Sequence, residues 1–134
     1  PAAPLEYAVP EGWDERPASS FRLASFLAPG EGGDLDVSVS TAGGSILANI
    51  NRWRGQVGLP PVDEAELEAG SEAIDVDGNP GTFVSLIGSE KAILGVIVPR
   101  DGRPWFFKGP GSPAAAQRER DAFRSFVGSV SFSN

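Results

Sequence analysis

The stretch NINRWRGQVGLPP, from Asn49 to Pro61, is the densest group of side chains suited to ligand binding in this chain. Arg52 and Arg54 flank Trp53, and side-chain amides stand on both sides of them. A guanidinium donates two parallel hydrogen bonds to a carboxylate or a phosphate, so this composition favours an anionic or planar ligand. The alternative interpretation is the polar side of an ordinary amphipathic helix, with Arg54 fastening that helix to the sheet.

Local signals predict that this stretch is a helix. Ser45 is a suitable N-cap, and Gly58 followed by Leu59–Pro61 ends the helix. Apolar residues at helical spacing predict one buried stripe, formed by Ile46, Ile50, Trp53 and Val57. Arg54 borders that stripe, so it must extend its head group to water or find a carboxylate or carbonyl partner. The predicted binding residues are Asn49, Arg52, Trp53, Arg54, Gln56 and, from a later strand, Lys108.

Lys108 belongs to the strand candidate RPWFFKG, from Arg103 to Gly109. Trp105 and Phe107 alternate there with Phe106 and Lys108, so both faces carry aromatic side chains. Such a strand is typical of a sheet that is covered on both sides. We expect Lys108 to line a pocket beside Arg52; the alternative is a core strand with one solvated lysine.

Three groups of carboxylates invite a hydrolase or a calcium interpretation: Asp34 with Asp36, the segment from Asp63 to Glu68, and Asp75 with Asp77. A carboxylate hydrolase needs two carboxyl groups about 5–10 Å apart across a cleft. The DVDGNPG segment lacks the glutamate that ends a calcium-binding EF-hand loop, and turns favour Asp, Gly and Asn for backbone reasons. TAGGSI, from Thr41 to Ile46, contains neither dinucleotide nor P-loop spacing, which favours a capping role. Structural roles are therefore the preferred interpretation.

Composition narrows the chemistry further. The chain has no cysteine and no histidine, which removes the usual zinc ligands, the cysteine nucleophile and the Ser–His pair. The net charge of −7 disfavours nucleic acid and anionic membranes as partners, and no apolar run is long enough to span a membrane. We predict no catalytic residues, no metal, no cofactor and no enzymatic activity.

Periodicity and turn signals predict the order β-β-α-α-β-β-β-β-α-β. Residues 5–19 are expected to be extended or turn, with Trp13 at a core edge. The predicted strands are Ser20–Ala28, Leu35–Ala42, Ser71–Gly78, Gly81–Gly88, Lys91–Pro99, Arg103–Gly109 and a short last one; the other predicted helices are Asp63–Gly70 and Ser112–Val130. Short turns imply antiparallel pairing, so we predict an α+β fold, a sheet of about six to seven strands with helices on both faces.

This order resembles the Mog1/PsbP-like fold, an α/β/α sandwich around an antiparallel sheet. The resemblance is carried by EGW at Glu11–Trp13, the two-strand entry, WFFKGPG at Trp105–Gly111, and the helix and strand ending FRSFVGSVSF at Phe123–Phe132. It spans nearly the whole chain and implies a single domain over residues 1–134. Members of this fold serve as assembly factors, partner-binding modules and chaperones and are generally not enzymes, and the Asn49–Pro60 segment looks like a signature of a small set of exported bacterial proteins.

The resemblance and the missing initiator methionine together predict an exported protein. We expect residues 1–4 to be the remnant of a linker after a removed signal peptide or lipid anchor, and the domain to be periplasmic or a lipoprotein held at a membrane. The expected function is a non-catalytic protein-binding or assembly module whose partner is another protein or a small anionic ligand. The alternatives are a small-ligand carrier, which requires an apolar pocket, and a carboxylate-dependent hydrolase. Neither the identity of the partner nor the oligomeric state is predicted.

Overall fold

A computed structural model describes residues 5–100 and 102–132, so the predicted linker remnant at residues 1–4 lies outside it. In these ranges three helices are present: α1 (Ile46–Gln56), α2 (Glu64–Ala69) and α3 (Pro113–Gly128). The described strands are β1 (Leu5–Glu6), β2 (Asp14–Arg16), β3 (Ala24–Ala28), β4 (Leu35–Thr41), β5 (Glu72–Val76), β6 (Asn79–Ile87), β7 (Ala92–Arg100), β8 (Arg103–Gly111) and β9 (Ser131–Phe132).

Seven of the described strands form one antiparallel sheet in the order β2-β3-β4-β8-β7-β6-β5, and β1 pairs separately with β9. The predicted α+β class and strand number are therefore confirmed. Strands β1 and β2 were not predicted. The three residues of β2 are all exposed and show no apolar alternation, so only their pairing with β3 makes them a strand.

The predicted strand from Ser20 to Ala28 was wrong at its start, because β3 begins at Ala24. A capped turn precedes it. The Ser19 hydroxyl accepts hydrogen bonds from the backbone N–H groups of Phe21 and Arg22, and the Ser19 N–H donates to the Arg22 carbonyl. A serine side chain that satisfies backbone donors in this way favours a turn over a strand.

Helix α3 covers one face of the sheet. Ser112 caps its start through the backbone N–H of Ala115, with Pro113 at the first turn, as predicted. Beneath it the rings of Phe26 and Phe126 meet edge to face, with centroids 4.9 Å apart. Trp13 joins this cluster and is buried, which confirms its predicted place.

Helix α1 covers the other face, over strands β6, β7 and β8. Of its predicted stripe, Ile50, Trp53 and Val57 are buried, and Ile46 at the start of the helix is partly buried. They pack against Val84, Leu86, Ile93, Ile97 and Phe106. Trp53 lies over Gly95, where an added Cβ atom would stand 2.5 Å from the indole ring. The Ser45 cap and the Asp63–Glu66 capping box of α2 are both present as predicted.

The same face remains uncovered by helices over β4, β3 and β2 in the described part of the chain. Residues paired directly across neighbouring strands share a face. The register pairs Ser25 with Ser38, Ser38 with Lys108, and Lys108 with Gly95. These paired residues form a row across the sheet. The row begins at Gly95 under α1, continues through Lys108 and ends at Ser38 and Ser25 on the face that no described helix covers.

Replacing Gly95 with alanine tests the packing of Trp53. The new methyl group would overlap the indole, so we expect G95A to lower the free energy of unfolding by about 1–3 kcal/mol. Urea denaturation measures this. Gly55 is the matched control, because it lies in α1 with open space at its Cβ position, and G55A should raise stability by about 0.5–1 kcal/mol. Equal effects of the two substitutions would contradict the packing.

Tyr7 offers a second test, because it is the chain's one tyrosine. Burial, followed by the hydrogen bond and negative charge of Glu15, raises the pKa of Tyr7 to about 12. We expect ultraviolet absorbance to show tyrosinate forming near this pH, and E15Q to move the pKa back toward its usual value. The pKa of Tyr7 is higher in the folded than in the unfolded chain, so its contribution to the free energy of unfolding is complete below about pH 10. That contribution is lost as the pH rises toward 12. Titration at the usual value in the folded protein would exclude this environment.

Candidate functional site

Asn49 fixes the start of α1 and orients Arg52. Its side chain is only 2% exposed, and its amide nitrogen donates to the carbonyls of Gly43 and Ser45 at 3.2 and 2.8 Å. Its amide oxygen accepts a hydrogen bond from Arg52 Nη1 at 2.7 Å. The amide therefore holds a guanidinium in one direction at the exposed flank of the helix.

Lys108 joins β8 to the same flank of α1. Its Nζ atom donates to Gln56 Oε1 at 2.8 Å and lies 5.6 Å from the centroid of the Trp53 ring, on which a cation is attracted electrostatically. Trp53 itself is 1% exposed, so its ring supports Lys108 and leaves no surface for a ligand. Its indole Nε1 is buried without a hydrogen-bond partner among the described residues.

Arg22 brings a third cation to this part of the sheet. Its guanidinium donates to both oxygens of Asp36 at 3.0 and 3.1 Å and to the Ser25 hydroxyl at 3.0 Å. It therefore lies on the face that carries Lys108. We call Arg22, Ser38, Arg52, Gln56 and Lys108 the cationic surface.

Positive charge exceeds negative charge on the cationic surface. Arg22 is neutralised by Asp36, but within the described ranges neither Arg52 nor Lys108 has a carboxylate within 4.0 Å. Burial, then the charges of Arg52 and Arg22, hold the pKa of Lys108 below its usual value. Within the described residues, Arg52 and Lys108 are therefore cations of this surface whose charge no nearby carboxylate balances.

Arg54 lies on a different side of α1. Its Nε atom donates to the Pro60 carbonyl at 2.6 Å, and Arg54 lines a small recess together with Val62 and the α2 residue Leu67. The neighbouring Asn51 clamps the same connection, because its amide both donates to and accepts from the backbone of Val62. The carbonyl partner required by the position of Arg54 is therefore part of the helix–helix connection.

A cleft of about 490 Å³ adjoins the cationic surface through Gln56. It is open to solvent and lies between the end of α1, the turn before β7 and the start of α3. Val57, Ile93 and Pro110 form apolar parts of its wall, and Glu90, Lys91 and Ser112 contribute polar groups. The cationic surface and this cleft together offer both charged and apolar contacts.

Most of the carboxylates singled out in the sequence make structural hydrogen bonds. Asp75 accepts the Gly78 N–H, and Asp77, with φ 51°, accepts the N–H of Phe132. Asp63 and Glu66 close the capping box of α2. Among the described residues no group of three or more acidic side chains is placed to hold a metal ion.

The arginines around Glu72 provide a comparison, because they do have a carboxylate partner. Glu72 pairs with both Arg120 and Arg124, whose guanidiniums lie 5.2 and 5.1 Å from the centroid of the Phe83 ring. The hydrogen bond from Arg124, with the charges of both arginines, lowers the pKa of Glu72. Each of these two arginines therefore has a carboxylate partner, in contrast to Arg52 and Lys108.

Sequence reasoning did not find Arg22, Asp36 or Ser38 as parts of the site. The sequence of β4 did contain an indication, because the polar residues Asp36, Ser38 and Ser40 alternate there with buried apolar residues. Such an alternation predicts that one face of the strand is exposed, but it does not predict which other residues lie on that face. Arg22 was assigned to a strand rather than to the turn that aims it at Asp36.

Comparison with known proteins gives the fold. No family model and no curated protein matches this chain. Among solved structures it is similar to LpqN of Mycobacterium tuberculosis, described as involved in cell envelope biogenesis, with 15% identity, a TM-score of 0.53, and coverage of 97% of this chain and 83% of that one. It is also similar to the PsbP protein CyanoP of Synechocystis, with 17% identity, a TM-score of 0.50, and coverage of 99% and 95%.

A Bacteroides thetaiotaomicron protein has a TM-score of 0.55 at 9% identity; the match covers 98% of this chain and 46% of that protein, so the chain spans less than half of it. With these neighbours the chain has the Mog1/PsbP-like fold, as its sequence predicted. Identities at this level define architecture and leave the site to be argued from its own residues. In the described part of the chain, no helix has the length and apolarity needed to cross a membrane.

Replacing Lys108 with methionine removes the charge and keeps most of the apolar side chain, so it tests how the charge affects stability. Because the folded-state pKa is lowered, the charged lysine costs stability in full at pH values below that pKa. The cost falls as the pH rises from that pKa to the usual value of 10.5. We expect K108M to leave the melting temperature unchanged or raise it near neutral pH, with less effect at alkaline pH. Thermal unfolding across pH measures this.

The control substitution is R103M, at an exposed cation at the start of the same strand. It should leave the pH dependence of unfolding as in the parent protein. A marked loss of stability in K108M alone would show that the Gln56 hydrogen bond outweighs the cost of holding the charge.

Proposed function

We propose that this domain is a non-catalytic, exported module that binds a partner protein through the cationic surface. The observation that carries the proposal is the uncompensated pair Arg52 and Lys108, held in place by Asn49 and Gln56 in a chain of net charge −7. Local positive charge on an acidic protein gives electrostatic selectivity for an anionic group.

Preorganisation supports a binding role. Arg52 and Lys108 are already oriented by side-chain amides, so less conformational entropy is lost when they contact a partner. The lowered pKa of Lys108 shows that its environment does not favour the charge. A carboxylate from a partner would reverse that disadvantage, and this gain would appear as binding free energy.

The open shape favours a protein as partner. The cationic surface runs from the flank of α1 onto the half of the sheet that bears no helix in the described residues, so it can meet a broad surface. The absence of histidine and cysteine and the structural contacts of the carboxylates support a non-catalytic role. Export to the periplasm or attachment at a membrane as a lipoprotein remains part of the proposal, supported by the cell-envelope description of LpqN.

A small anionic ligand is the second candidate, and the cleft next to Gln56 favours it. Its apolar wall and the neighbouring cations suit a small carboxylate with an apolar body. Thermal-shift measurements with a set of small mono- and dicarboxylates distinguish the two candidates. A shift that K108M removes would support this candidate, whereas no shift across the set would count against it.

The combined substitution R52A/Q56A tests the proposed surface. Arg52 and Gln56 are exposed, so folding should persist, while capture of partners from an envelope extract should fall about tenfold or more. R103A is the control, and capture by that variant should equal capture by the parent protein. Unchanged partners with R52A/Q56A, in a protein that circular dichroism shows to be folded, would rule out this site.

A further inference from the structure

Two exposed apolar side chains flank one cation of the proposed surface. Among the described residues the exposed large apolar side chains are Val9 at 38%, Phe21 at 86% and Leu23 at 38%. Phe21 and Leu23 are the residues on either side of Arg22. Single exposed apolar residues are ordinary, but an aromatic residue beside a group of cations has the composition of an interface centre.

The backbone that carries Phe21 is held in place. The Ser19 hydroxyl accepts from the Phe21 and Arg22 N–H groups at 3.2 and 3.1 Å, and the Ser19 N–H donates to the Arg22 carbonyl at 2.9 Å. On the far side, the Leu23 N–H donates to the Val39 carbonyl at 2.8 Å. The exposed ring therefore stands on a fixed turn, and ordering its two side-chain torsions on binding costs little.

The side chain of Arg22 links this turn to the cationic surface. It crosses to Ser25 and Asp36 on the open face, and its charge acts on Lys108 together with that of Arg52. The apolar turn is therefore continuous with the cationic surface through Arg22. An occupant that matches both must carry negative charge next to apolar side chains.

We propose that Phe21 and Leu23 are the apolar anchor of the same interface, and that the partner presents an acidic peptide segment with apolar residues among its carboxylates. This inference rests on the proposed function and specifies the chemistry of the partner. The carboxylates contact Arg52 and Lys108 while the apolar side chains cover Phe21. An anionic membrane fits less well, because the chain's net charge of −7 opposes it.

A random-peptide phage library selected on the parent protein is the test. We expect the recovered peptides to be enriched in carboxylates with apolar residues between them. A synthetic peptide of that consensus, followed by fluorescence polarisation, should bind F21S about tenfold or more weakly than the parent, and R52A/K108M likewise. The matched controls are V9S, an equally simple change at the other exposed apolar residue, and R103A; both should bind within about twofold of the parent.

The outcomes separate this inference from the proposed function. If R52A/K108M weakens binding and F21S does not, the apolar anchor is wrong and the proposed surface stands. If neither matters, both are wrong. No recovered peptide, or a consensus without carboxylates, overturns the assignment of the partner. So does a parent protein that self-associates in sedimentation experiments through the cationic surface, because the partner is then a second copy of this chain.

Discussion

The indole of Trp53 lies on strand β7 at the one place where Gly95 leaves room for it. A ring of this size can approach the backbone of a sheet closely only where a side chain is missing, and close packing then fixes the helix that carries it. The position of α1 over β6, β7 and β8 follows from that contact, and so does the open face over β4, β3 and β2. Lys108, paired with Gly95 on the neighbouring strand, stands at the boundary between the two.

At this boundary, Arg52 and Lys108 differ from several other cations of the fold because they have no carboxylate partner among the described residues. On α3, Arg120 and Arg124 share Glu72, and Arg118 pairs with Glu119. Arg22 pairs with Asp36, so each of these cations has a carboxylate partner within the fold. Arg52 and Lys108 receive only amide oxygens. An amide fixes direction without removing charge, which leaves the cations both ordered and available. The packing of α1 on the sheet therefore also places Arg52 and brings Gln56 to Lys108.

The fold tolerates wide changes in sequence because its requirements are general. Similar structures share only 9–17% of their residues with this chain. An α/β/α sandwich needs apolar alternation on two faces and amphipathic helices to cover them, and many sequences supply both. The charges on the open half of the sheet are not among those requirements. They are properties of this chain, and they carry its functional interpretation.

The sequence by itself determined features that depend on neighbours along the chain: the caps at Ser45, Asp63 and Ser112, the buried stripe of α1, the strands with clear alternation and the fold that their order implies. It also selected Asn49, Arg52, Trp53, Arg54, Gln56 and Lys108 as candidates and placed Lys108 beside Arg52, without showing which contacts these side chains make. Only the tertiary structure decided that β2 is a strand, that Arg54 bonds to the Pro60 carbonyl, and that Arg22 joins the site. The physical reason is separation along the chain: Lys108 and Gln56 are 52 residues apart, and no local pattern records which distant residues a helix and a sheet bring into contact.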